Sequence, residues 1–401
     1  MTVLYKKGTF VKLVLLGVAS LIASVGASAC PLCGGTWGAV SAEEYLARYH
    51  PVVRDSSAAP AALPSPLQGP APAPPSGLRI DRETAASAVL AVRADDGARL
   101  RVVALIRGEM PEDGTIKPSW VVGLDRDAGA KPLLLIRARK WQSWANVGPS
   151  DAESADWLRH VAALKPATET ADAEWPEVFA LLLPYLENKD PTIAEIAYGG
   201  LARAPYAALR SLRDRLDLQR LRHWTADPQL ADRRSLYTLL VGVGGDASDT
   251  ARIERQLDAA WMAKDATNLG PLLAASLELR GPSRMAWIDA KYIGDRDRTR
   301  KELDAALLAL SVQGGANATI PRERVIESYR LFIDRHPSLA GFVAEDLATW
   351  NYWDAGPAYI ALLRSGAEQH PASRYAMLNY LRQSPQPDAK AAVGSLAKAA
   401  Q

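Results

Sequence analysis

Only two cysteines occur in the 401 residues, so no framework of disulfides holds this chain together. Histidine is scarce too: His50, His160, His223, His336 and His370 stand far apart, and the last two each precede a proline, which suits turn or capping residues better than ligands. The signature spacings of catalysis are missing, with no His-Glu-x-x-His, no Gly-x-Ser-x-Gly, no Gly-x-x-x-x-Gly-Lys and no Cys-x-x-Cys-His. The acidic pairs Glu43-Glu44 and Asp295 with Asp297 sit in polar surroundings, without the apolar neighbours that tune a general acid. Charge of one sign is also lacking. The formal net charge is +2, which gives no global field for nucleic acid. Arg210, Arg213, Arg215, Arg220 and Arg222 alternate with Asp214 and Asp217 and read as a solvated helix face. Gly242 to Gly245 follows a helical run and reads as a helix stop.

What is present begins with an address. Lys6, Lys7 and Lys12 precede an apolar run, Leu13 to Val25, that closes in Ala27-Ser28-Ala29, the three-part pattern of a secretory leader over residues 1–29. The run is shorter than the roughly 20 apolar residues of a spanning helix, and no later segment is apolar enough to serve as one. Removal of the leader takes away three lysines and no acid, leaving a mature charge near −1. An exported protein is expected, periplasmic or extracellular. Cleavage after Ala29 would also make Cys30 an N-terminal residue open to acylation, as in an outer-membrane lipoprotein.

Cys30-Pro31-Leu32-Cys33 contains both cysteines and admits three readings. A disulfide would close a very small loop worth roughly 2 kcal/mol before strain, a poor staple. A redox pair fits the spacing, since Cys-x-x-Cys lowers the pKa of its leading thiol, but the strand-to-helix context of thioredoxins is absent. A metal knuckle fits as well, with Gly34 and Gly35 allowing a tight turn, although a closed site needs four ligands and the second knuckle is missing. No other cofactor is indicated.

Residues 56–77 are rich in proline and alanine and form a spacer, because proline removes donors and fixes φ. It separates the cysteine segment, 30–55, from a β region over 78–150. There, Ala88 to Arg93 and Leu100 to Ile106 flank Asp95-Asp96-Gly97, a hairpin signal. Ser119 to Leu124 and Pro132 to Ala138 are further strands, and Trp141 and Trp144 cap the core. This order is similar to the small OB-like barrels of netrin and tissue-inhibitor domains; a sandwich is the alternative.

From Asp151 to the end, residues 151–401, apolar positions recur at helical spacing. Trp175 to Glu187 reads as one helix. Asp190-Pro191 opens the next, with Asp as N-cap and Pro in the first turn, and the device returns at Asp227-Pro228. His336-Pro337 and His370-Pro371 punctuate the C-terminal part. These intervals of roughly 35 residues fall just below those of HEAT units. The chain resembles HEAT-like α-solenoids, and more narrowly a group of secreted bacterial proteins that open with Cys-Pro-x-Cys and close in such repeats. The match is carried by Ala197-Tyr198-Gly199-Gly200-Leu201-Ala202-Arg203-Ala204-Pro205-Tyr206, Leu221-Arg222-His223-Trp224, Arg234-Ser235-Leu236-Tyr237 to Gly244-Gly245, and Ala344-Glu345-Asp346-Leu347-Ala348-Thr349-Trp350. It implies architecture and export, and no activity.

The expectation is a mainly α protein, with a small OB-like or sandwich β module followed by a HEAT-like α-solenoid. Such a surface suits a non-catalytic scaffold that binds a protein or peptide. Trp350, Tyr352, Trp353 and Tyr359 are the densest aromatic group; aromatics so spaced usually pack between helices, though an exposed subset would suit a peptide or glycan. The alternative is a periplasmic thiol-disulfide or metal-handling protein acting through Cys30 and Cys33.

Overall fold

A computed structural model describes residues 87–94, 97–124, 131–137, 143–165, 170–315, 318–365 and 369–399. The leader, Cys30, Cys33 and the 56–77 spacer lie outside the described residues.

Six strands form one sheet curled into a half-barrel, in the order β3-β2-β1-β5-β6-β4. The expected hairpin joins β1 (Ser87–Arg93) to β2 (Leu100–Arg107), and Gly97 supplies the left-handed conformation at φ 64° that its turn requires. β3 is Thr115–Ile116, β4 is Val121–Val122, β5 is Leu133–Arg137 and β6 is Trp144–Pro149. Neighbours are antiparallel except for β4 and β6, which are parallel.

Alternation along the strands divides the apolar side chains between two cores. Val89, Ala91, Leu133 and Leu135 join Leu100, Ile116, Val121 and Trp144 in a core belonging to the sheet. Leu90, Leu134 and Ile106 face the other way and merge with the core of the helices. Burial on both faces explains why β5 is an unbroken apolar run rather than an alternating one.

The helices begin with α1 (Ala155–Ala163), α2 (Trp175–Leu182), α3 (Pro191–Ala202), α4 (Tyr206–Arg210) and α5 (Leu218–Ala226). The middle holds α6 (Arg234–Gly244), α7 (Ala247–Ala263), α8 (Leu269–Arg280) and α9 (Met285–Ile288), which continues as a π turn over Asp289–Ile293. α10 (Arg300–Gln313), α11 (Arg322–Arg335), α12 (Ala344–Thr349), α13 (Gly356–Arg364), α14 (Pro371–Gln383) and α15 (Pro387–Ala399) follow. Several pack two elements on: α6 against α8, α8 against α10, α12 against α14, α13 against α15.

Capping explains several of the starts. The Asp190 carboxylate accepts from the Thr192 and Ile193 N–H groups at 2.9 and 3.3 Å, Asp227 accepts from Gln229 at 2.8 Å, and His370 Nδ1 accepts from Ala372 at 3.2 Å. His336 is buried and meets the Ile293 carbonyl through Nε2 at 2.9 Å.

Local reading departs from the structure, wholly or in part, at several places. The run from Trp175 stops being α-helical at Leu182, because Pro184 cannot donate to the preceding turn, and Leu183–Tyr185 tightens to a 3-10 turn. Pro118–Trp120 is also 3-10, which leaves only Val121 and Val122 of the expected strand. α6 runs through Gly242 to Gly244. The stop expected over Gly242 to Gly245 falls at its end, with Gly245 as C-cap, while Gly242 lies against α8, where a Cβ would fall 2.4 Å from the Ala275 Cα, and serves close helix approach. Finally, the arginines between 210 and 222 divide: Arg213, Arg215 and Arg220 are exposed, as expected of a solvated face, while Arg210 and Arg222 are partly buried and tie helices together.

Candidate binding cleft

Helical spacing builds the walls of a cleft of about 380 Å³ in the middle of the helices. Arg234, Thr238 and Val241 follow one stripe of α6 at i, i+4 and i+7; Arg252, Gln256, Ala260 and Ala263 follow one stripe of α7. The hollow exists because the α7 stripe ends in alanine. Val241, Ile253, Ala260 and Leu272 make a buried apolar floor. The α7–α8 turn closes one side and contains two left-handed non-glycine residues, Lys264 at φ 51° and Asn268 at φ 56°. Asn268 is held at both ends: Nδ2 donates to Thr238 Oγ1 at 3.0 Å and Oδ1 accepts from Ser235 Oγ at 3.2 Å. Asp265 accepts from the Thr267 N–H at 2.8 Å, and that bond, with one from the Thr267 hydroxyl, holds its carboxyl below the usual range.

The cations of the walls differ. Arg252 reaches the buried Asp249 carboxylate at 2.6 Å, which Arg222 also grips with two bonds of 3.0 and 2.7 Å. Burial opposes the Asp249 charge, but the Arg222 bonds, the Asp246 N–H and Arg252 prevail and keep its pKa lowered. Asp246, bonded by Ser248, its backbone neighbours and Arg222, falls to about 2. Arg233 is bound to Glu187 and Glu195 at 2.8 and 2.6 Å and lies over the Tyr198 ring. Arg234 has only the Asp227 carbonyl, at 3.4 Å from Nη2, and its buried Nε has no partner among the described residues.

Compared with protein-family models, characterised proteins and solved structures, the chain matches none. The residues must carry the reading alone.

A second polar cluster is closed. Glu278 of α8, its side chain fully buried, receives Arg210 Nε at 3.0 Å, Tyr206 Oη at 3.2 Å, Gln313 Nε2 at 2.9 Å and Thr319 Oγ1 at 2.7 Å, with Arg213 at 3.7 Å. It joins α4, α8, α10 and the segment before α11. The Glu278 carboxylate is held by distant elements, which makes it a structural tie, although the buried Gln313 Oε1 has no hydrogen-bond partner among the described residues.

The aromatic group is a packing cluster. Trp350 stacks on Tyr329 with centroids 5.5 Å apart and planes 10° apart; Trp353 and the fully buried Tyr359 both pack on Tyr380; the Tyr352 carbonyl accepts from Tyr380 Oη at 2.6 Å. Beneath it, Tyr329 Oη donates to Asp346 at 2.5 Å, and burial pushes the Asp346 carboxyl up. Among the described residues no cluster of three or more His, Cys, Asp or Glu is arranged to hold a metal ion, and no helix is long and apolar enough to cross a membrane. Cys30 and Cys33 lie outside the described residues.

Arg234, Gln256 and Asn268 escape sequence reasoning. The available signal was the Ala259, Ala260 and Ala263 stripe on an otherwise charged helix, a lack of bulk at the positions facing α6.

Proposed function

We propose that this chain is an exported, non-catalytic scaffold, an OB-like module leading into a HEAT-like α-solenoid, that binds a peptide segment of a partner protein in the cleft between α6 and α7. The observation that carries the reading is the cleft itself: an apolar floor with polar groups along its walls, the composition of a recognition site. Packing of helices two elements apart supports the repeat reading. Export rests on Lys6, Lys7, Lys12 and the apolar run ending in Ala27-Ser28-Ala29.

The competing reading, thiol or metal handling by Cys30 and Cys33, rests on the spacing of that motif. A pull-down from the exported fraction separates them. Ala259→Trp, which fills the cleft from an exposed position, should abolish capture of the partner, while replacing both cysteines by serine should leave it intact. Capture that survives Ala259→Trp and is lost with the cysteines would reverse the assignment.

A further inference from the structure

We infer that Arg234 receives an acidic side chain of the bound segment, so that the partner peptide is an internal acidic stretch with apolar flanks; this rests on the scaffold reading above. A guanidinium drawn partly out of water normally finds a carboxylate, since an uncompensated charge with an unpaired buried donor is costly. In this chain the rule is kept by Arg210, Arg222, Arg233, Arg252, Arg298 and Arg324, each within 3.0 Å of a carboxylate. Arg234, half-buried in the cleft wall, breaks it.

Nearby acids do not fill the gap. The Asp227 carboxylate caps Gln229, Asp265 is held by Thr267, and Glu187 and Glu195 are bound to Arg233. Arg234 therefore makes no ion pair with a carboxylate among the described residues: its Nε is enclosed and unbonded, and Nη2 meets only the Asp227 carbonyl. It stands in the first turn of α6, where the partial positive charge of the helix end adds to its pull on an anion. Arg252 on the facing helix shares Asp249 with Arg222, so two cations and one already bonded acid, Asp265, line the cleft. The floor of Val241, Ile253 and Leu272 calls for apolar side chains beside the acid, and the volume holds about three side chains.

The test selects end-blocked peptides from a synthetic library on the full-length protein, then measures the enriched peptide by fluorescence anisotropy. Enrichment of Asp or Glu beside Leu, Ile or Val is expected. Arg234→Ala should weaken the selected peptide about tenfold or more, as should changing its acid to the amide, with Arg234→Lys intermediate because it restores charge without the fork. An unchanged melting temperature for Arg234→Ala shows that the loss is not unfolding. Enriched peptides without acids that still fail to bind Ala259→Trp overturn this inference and leave the scaffold reading standing. Binding that requires a free C-terminal carboxylate also overturns it. If no peptide depends on the open cleft, both readings fail.

Discussion

α8 takes part in two polar regions that treat charge in opposite ways. Around Glu278 a fully buried carboxylate sits at the centre of donors from three other parts of the chain. In the cleft, over Leu272, Arg234 stands in the wall and makes no ion pair among the described residues. The first arrangement ties distant helices together and is closed to ligands; the second leaves an interaction for something outside the chain. Their difference shows that function is to be sought where a polar group is unmatched, not where polar groups are most numerous.

The largest effect should come from breaking the closed region. Glu278→Ala strands the largely buried Arg210 against a hole, and a loss of about 3–5 kcal/mol is expected in urea unfolding. Glu278→Gln, which keeps the volume and one of the two acceptor oxygens, should lose less. Gly242→Val attacks the support common to both regions by driving a side chain into the Ala275 backbone; about 1–3 kcal/mol should go.

Acid sharpens the contrast further. Asp246 and Asp249 have lowered pKa values, so their contribution is complete above the ordinary carboxyl range and fades as pH falls toward about 2. Arg222→Ala should flatten the drop in melting temperature across that interval. Asp346 has the reverse sign. Its pKa is raised by burial, so ionisation opposes folding, and the opposition disappears as pH falls through the raised value. Asp346→Asn should therefore gain on the natural protein as pH rises above about 4, and the two curves should converge in acid.

The smallest effect completes the comparison. Arg234→Ala should change stability by less than about 0.5 kcal/mol, in keeping with a side chain whose described bonding is one long contact to the Asp227 carbonyl. A drop as large as that of Glu278→Ala would place Arg234 among the structural arginines.

Local patterns foretold the local structure. The hairpin of β1 and β2 followed from two apolar segments flanking Asp95-Asp96-Gly97, and the helix starts at Asp190 and His370 followed from their capping chemistry. β3 and β4 are two residues each, too short for any period to show, and β6 contains Gly148 and Pro149, residue types that weaken a strand signal. The charged side chains were least legible because their partners are remote. Arg210 meets Thr319 across 109 positions, and Arg222 meets Asp249 across 27. Arg233 and Arg234 are adjacent and chemically identical; only the packed helices decide that one pairs with Glu187 while the other borders a cleft.

The half-barrel has a consequence for the order in which the chain assembles. Its inner core is complete once Pro149 has been made, but Leu90, Leu134 and Ile106 are covered only by segments that come later. Arg159 must still reach the Leu105 carbonyl at 2.9 Å, and Thr192 the Pro149 carbonyl at 2.8 Å. A nascent chain cut off at Ser150 would therefore present a bare apolar stripe to whatever escorts it, and should stick to chaperones until α1 to α3 emerge and cover it.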